Sequence, residues 1–189
     1  MNINKFTQKS MEAVQNCEKL AYEFGNQEID QEHLLKSLID QEDGLILKLI
    51  EKMEINTAHF SNRVTEDLNK KVKVQGGDLR ISNDLNKVLI TAEDEAKAMG
   101  DEYVSVEHLF LSLLKYPNKA MKELFKEYGI TRDRFLTALS TVRGNQRVTS
   151  DNPEATYDTL QKYGTDLVEK ARSQKPVSYT HLRAHETSL

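Results

Sequence analysis

The sequence predicts an all-α fold: two pseudo-symmetric four-helix repeats forming one domain, then a linker and one further helix. Three observations predict it. The string DQEHLLKSLI at residues 30–39 returns as SVEHLFLSLL at 105–114, which sets His33 and His108 75 residues apart. That offset also places Gly25 on Gly100, Ala21 on Ala96, Glu18 on Glu93, Leu49 on Leu124, Ile55 on Ile130 and Phe60 on Phe135 without a gap, the mark of an internal duplication. Composition is the third: 38% hydrophobic and 30% charged residues, no Trp and only 3 Pro suit a soluble helical chain better than a sheet protein or a disordered one.

The caps fix where helices begin. Thr7, Asp30 and Asn56 in repeat one, about 1–71, and Ser82, Ser105 and Thr131 in repeat two, about 82–142, each precede an amphipathic run. A short oxygen-bearing side chain there accepts from the free N–H groups of the first turn. Gly25 and Gly100 should end the first helix of each repeat, because glycine reaches the left-handed conformation at little cost. Short third helices are predicted over 45–52, after Gly44, and 119–127, after Pro117 and Asn118. Within the first helices, Ala13, Val14, Cys17, Ala21 and Phe24 keep a 3.6-residue period, as do Leu85, Val88, Leu89, Ala92, Ala96 and Met99 in the copy. One such unit buries too little apolar surface to stand alone, so the copies should pack together and leave a groove where they meet.

Between the copies, VKVQGGDLRI at 72–81 reads as an extended, mobile connection around Gly76 and Gly77. After the second copy, RGNQRVTSDNPEAT at 143–156 has no apolar period, and residues 143–152 are expected to form a flexible linker. A last helix is predicted over 153–175, with Pro153 in its first turn and Tyr157, Leu160, Tyr163 and Leu167 on its apolar stripe.

A formal charge of −4 without a basic cluster argues against a nucleic-acid partner. The N-terminus MNINKFTQKS has no apolar core of signal-peptide length, and no segment approaches the ~20 apolar residues of a membrane span. A lone Cys17 cannot form an internal disulfide, which fits a cytoplasmic setting, and its alignment with Ala92 reads as a small buried filler.

The Glu32-His33 and Glu107-His108 pairs invite a metal-dependent enzyme reading. The spacing is wrong for the zinc helix, which needs two His one turn apart with the Glu between them. The structural alternative sets each Glu in a first turn, at the positive end of the helix dipole, with each His bonding locally. No serine elbow, glycine-rich phosphate loop or Cys-x-x-Cys is present, so no catalytic, cofactor-binding or metal residue is assigned. Binding of an extended peptide is the function left standing.

The FTQKSMEAV opening, the EHLL/EHLF helices and the string VRGNQRVTSDNPEATYDTLQKYGTDLVEKAR resemble the amino-terminal part of the ClpB family, the AAA+ disaggregase chaperones of the Clp group, over about residues 1–176. The resemblance implies a Clp repeat domain over 1–142 that captures misfolded or aggregated proteins and passes them to an ATPase ring. It implies a peptide groove at Thr7, Asp101 and Glu107, flanked by Leu89, Thr91 and His108. It also implies a hexameric parent using ATP and magnesium alongside an Hsp70-type chaperone system. An adaptor-docking domain of a protease-linked Clp ATPase is the alternative. After Lys175-Pro176-Val177 the likeness stops: SYTHLRAHETSL replaces the expected run into the nucleotide-binding domain, and residues 176–189 are expected to be an artefact that leaves His181 and His185 without a metal-binding context.

Overall fold

The computed structural model describes residues 1–157. A compact unit runs from Met1 to Pro153 and holds eight α-helices. Repeat one contains α1 (Gln8–Phe24), α2 (Gln31–Asp40), α3 (Leu45–Lys52) and α4 (Thr57–Lys70); repeat two contains α5 (Asn83–Ala98), α6 (Val106–Lys115), α7 (Lys119–Glu127) and α8 (Arg132–Arg143). The predicted fold class is the observed one, and the third helices have the predicted bounds. A second unit begins at Glu154; helical residues cover 153–157, and the rest of the expected last helix and the tail lie outside the described residues.

Local chemistry explains the helix ends. Thr7, Asn56, Ser82, Asn118 and Thr131 each accept from a backbone N–H three residues on, at 2.9–3.2 Å. Gly25 ends α1 in the left-handed conformation (φ 69°), and Gly100 repeats the turn behind α5 (φ 71°).

The recurring Glu-His-Leu helices are the centre of the fold. Leu34, Leu35 and Leu38 of α2 and Leu109, Phe110 and Leu113 of α6 are wholly buried, each contributing about 1.5–3 kcal/mol. Phe110 stacks on Phe135 with centroids 4.5 Å apart and meets Phe125 edge-on at 5.7 Å. Ser37 donates to the Ala13 carbonyl (2.6 Å), and its mate Ser112 donates to the Val88 carbonyl (2.8 Å), so the same serine ties the first two helices in both repeats.

The repeats clasp each other reciprocally. β1 (Glu28–Ile29) follows α1 and pairs in parallel with β2 (Arg80–Ile81), which precedes α5. Phe6, before α1, forms a parallel bridge with Val104, after α5, and at the 75-residue offset these are the mates of Ile81 and Ile29. Gln31 then joins the halves through side-chain bonds. Its amide donates to the Tyr116 carbonyl (2.8 Å) and the Asp84 carbonyl (3.2 Å) and accepts from the Asn118 N–H (2.7 Å).

Two segments differ from their sequence reading in how they are held. The inter-repeat connection, expected to be mobile, is tied to repeat one by Asn26 Nδ2 to the Val72 carbonyl (3.2 Å), Val74 N–H to Gly25 (2.9 Å) and Arg80 N–H to Gln27 (3.0 Å). Residues 144–151, expected to leave a domain ending at 142, run back along it: Glu102 N–H donates to the Val148 carbonyl (2.9 Å), and Gln8 N–H to the Asp151 carbonyl (2.8 Å). Buried backbone groups need partners, and this segment finds them on Glu102 of repeat two and Gln8 of repeat one.

Candidate functional site

At the start of α6 the chain builds a buried polar cluster. His108 is the third residue of the helix, and its Nδ1 accepts the N–H of the capping residue Ser105 at 2.9 Å, the task a Glu or Gln performs in an ordinary capping box. With Nδ1 accepting, the ring proton sits on Nε2, which donates to Asp101 Oδ2 at 2.7 Å. The other Asp101 oxygen accepts from the Arg143 guanidinium and from the Val148 N–H (2.9 Å). Burial alone would raise the Asp101 pKa, but these hydrogen bonds and the Arg143 charge outweigh it and hold the carboxyl below its ordinary value. Glu107 faces Arg143 Nη1 at 3.5 Å, is 0% exposed, and has no hydrogen bond on either oxygen.

Repeat one has the same frame with different chemistry. His33 Nδ1 accepts the Asp30 N–H (2.9 Å) and Nε2 donates to Asn26 Oδ1 (2.9 Å), an amide where repeat two has a carboxylate. Burial and the nearby Lys71 charge, partly opposed by Asp30, push the His33 pKa down to about 4. Lys71 is the cation here, 3.2 Å from Asp30 and 3.4 Å from Glu32. Burial disfavours its charge, but the two carboxylates prevail and its pKa is raised. Burial and the Asp30 charge raise the Glu32 pKa against the pull of Lys71. All ring nitrogens of His33 and His108 are engaged within the protein, so neither Glu-His pair offers a free imidazole lone pair to a metal. Cys17 is buried and its thiol pKa is pushed up to about 12, the state of a filler rather than a nucleophile.

The structure brings together three of the six predicted groove residues, Asp101, Glu107 and His108, all through buried contacts. Thr7 makes no bond to these three; its N–H donates to the Val104 carbonyl (3.0 Å), and its hydroxyl caps α1. Leu89 and Thr91 stand apart on α5. Leu89 is 2% exposed, and Thr91, half-buried, meets Ser112 Oγ at 2.7 Å. A cavity of about 560 Å³ is lined by Met53 of repeat one and Arg134 and Ala138 of repeat two, and none of the six lines it.

One member of the site escaped the sequence reading: Arg143, the shared cation of the cluster. The duplication carried a signal for it. Arg143 aligns with the buried Leu68 and Asp101 with the neutral Asn26, so cation and anion both enter repeat two where repeat one has neither.

Comparison with known proteins agrees with this architecture. Residues 5–128 match the Clp repeat (R) N-terminal domain. The chain is 44% identical over 181 residues to a protein described as chaperone protein ClpB from Nitratidesulfovibrio vulgaris and 39% identical over 180 residues to that of Bacillus anthracis. Each alignment covers 93% of this chain and 21% of the relative, so the chain spans about a fifth of their length. Among solved structures, the Hsp104 N-terminal domain of Candida albicans superposes with a TM-score of 0.69 at 26% identity, covering 78% of this chain and 97% of that one. The ClpV N-domain of Vibrio cholerae, at 17% identity and a TM-score of 0.61 over 74% of this chain and 85% of that one, shares the fold. The duplicated helices, the reciprocal clasp and these likenesses together make the chain a member of the Clp repeat N-terminal domain family, of the kind carried by ClpB chaperones.

Proposed function

We propose that this domain recruits substrates for a ClpB-like disaggregase, capturing exposed apolar segments of misfolded or aggregated proteins for an ATPase ring elsewhere in a longer parent. The observation that supports this most is that similarity to ClpB chaperones runs through 93% of the chain, well past residue 128, where the match to the Clp repeat domain ends. On this reading ATP and magnesium, the hexameric ring, a cytoplasmic setting and cooperation with an Hsp70-type chaperone belong to the parent. Capture should be weak. Burying roughly 400 Å² of apolar surface yields a gross ~10 kcal/mol at ~25 cal/mol/Å², and association costs of ~4–15 kcal/mol remove most of it.

Glu107→Ala against its repeat mate Glu32→Ala tests the reading, with fluorescein-labelled, reduced and carboxymethylated α-lactalbumin as unfolded client. Glu107→Ala should weaken binding several-fold and Glu32→Ala much less. Equal binding losses with equal shifts in thermal midpoint would assign the effect to helix stability and remove the site from repeat two. Retention of one stoichiometric protein on the immobilised domain, with no binding of the unfolded client, would favour adaptor docking.

A further inference from the structure

The segment that follows α8 touches repeat two in the manner of a bound peptide. Val148 uses both backbone groups, its N–H on Asp101 Oδ1 (2.9 Å) and its carbonyl on the Glu102 N–H (2.9 Å), and its side chain is 0% exposed. On one side Arg143 Nε donates to the Gln146 carbonyl (2.6 Å). On the other, Gln8 receives Asp151 through both backbone and side chain, the latter at 3.0 Å. A chain recognised through alternate backbone groups with one side chain inserted follows the physics of strand addition. The corresponding segment of repeat one makes a shallower version of the contact, tied at Val72 and Val74 while those side chains stay 80% and 42% exposed.

We infer that residues 144–151 are a self-ligand occupying an extended-segment site of repeat two, built from Asp101, Glu102 and Arg143, and that an incoming segment must displace them. The kind of partner follows from the contacts: an extended chain presenting the N–H and C=O of one residue to Asp101 and Glu102, with a small β-branched side chain there. Glu107 lies buried on the same Arg143 guanidinium, 3.5 Å away and without a hydrogen bond. The inference deepens the substrate-recruiting reading and rests on it for the identity of the competitor, though the strap and its site stand on their own contacts. Mass action sets the consequence: a site filled by a tethered segment binds outside chains more weakly by the fraction of time it is closed.

Val148→Gly in the full chain removes the inserted side chain and leaves the helices as they are. Amide exchange at Glu102 should rise at least tenfold while α5 and α6 amides keep their protection. A synthetic GNQRVTSDN peptide, copying residues 144–152, is then titrated to millimolar concentration while the Asp101 and Glu102 amide resonances are followed. It should bind Val148→Gly at least fivefold more tightly than the unsubstituted chain, and adding Asp101→Asn should reverse the gain. If Glu102 stays protected, Val148→Asp, which sets a carboxylate against Asp101, takes its place. Protection in both variants, or equal peptide binding with and without the strap released, overturns the inference. If the peptide binds the released variant but carboxymethylated α-lactalbumin binds none, the strap site stands and substrate recruitment falls.

Discussion

Repeat one and repeat two place a histidine at the third position of their second helix and aim it at the residue after a helix-ending glycine. There the likeness stops. Repeat one answers with the neutral Asn26 and puts its cation, Lys71, near the surface, where Asp30 and Glu32 share it. Repeat two answers with the carboxylate of Asp101 and buries the cation, with Arg143 6% exposed between Asp101 and Glu107. A duplicated backbone thus fixes where a polar group must be satisfied but not how. The charged solution costs more to desolvate, and it leaves a carboxylate able to hold a further N–H, which the exit segment takes.

The largest test of this contrast removes the cations. Arg143→Leu, which copies Leu68, leaves the buried Glu107 carboxylate without its only counter-charge and Asp101 with just His108 and the Val148 N–H, and should cost about 3–5 kcal/mol. Lys71→Leu should cost about 1–3 kcal/mol, because Asp30 keeps the Ser82 hydroxyl and the Gln31 N–H. Urea midpoints at pH 7 rank the two, and equal losses would erase the distinction between the repeats. Acid comes next. His33 is held neutral with a folded pKa of about 4 against 6.5 unfolded, so the unfolded chain binds the extra proton in that window. Stability should therefore fall as pH drops from 6.5 to 4, by up to about 3 kcal/mol from this group. His33→Gln keeps the cap acceptor without the titration and should flatten that part of the urea-midpoint profile. An unchanged slope would move the acid sensitivity to other groups. The smallest effect separates the caps. Thr7→Ala and Ser82→Ala should each cost about 0.5–2 kcal/mol, with Ser82→Ala the larger because its hydroxyl donates to the Asp30 carboxylate at 2.8 Å, a charge-assisted bond, whereas the Thr7 hydroxyl donates to the neutral Ser10 Oγ at 3.1 Å. Thermal midpoints measured together would refute the ordering if Thr7→Ala proved worse.

Much of this architecture was legible because local physics wrote it. Asp30, Ser82 and Gly25 do in the fold what their chemistry does anywhere, and the 75-residue offset turned each inference in one repeat into a check in the other. The candidate site was less legible, since Asp101 and Arg143 are 42 residues apart and no period joins them. Reading the duplication for its mismatches as well as its matches would have paired them. The strap reads as linker in the sequence because its attachments run mostly through its own backbone groups, which composition does not record.

Gln31 separates this pair of repeats from a pair of identical ones. Its position in the second copy is held by Val106, 1% exposed, so the three-way amide contact with Asp84, Tyr116 and Asn118 exists once and points one way. Parting the halves would strand that amide and both clasping bridges at once, whereas each half alone keeps only the helices it closes by itself. The two copies have thereby ceased to be modules, and the ancestral symmetry survives in one compact unit that denaturant should unfold in a single step.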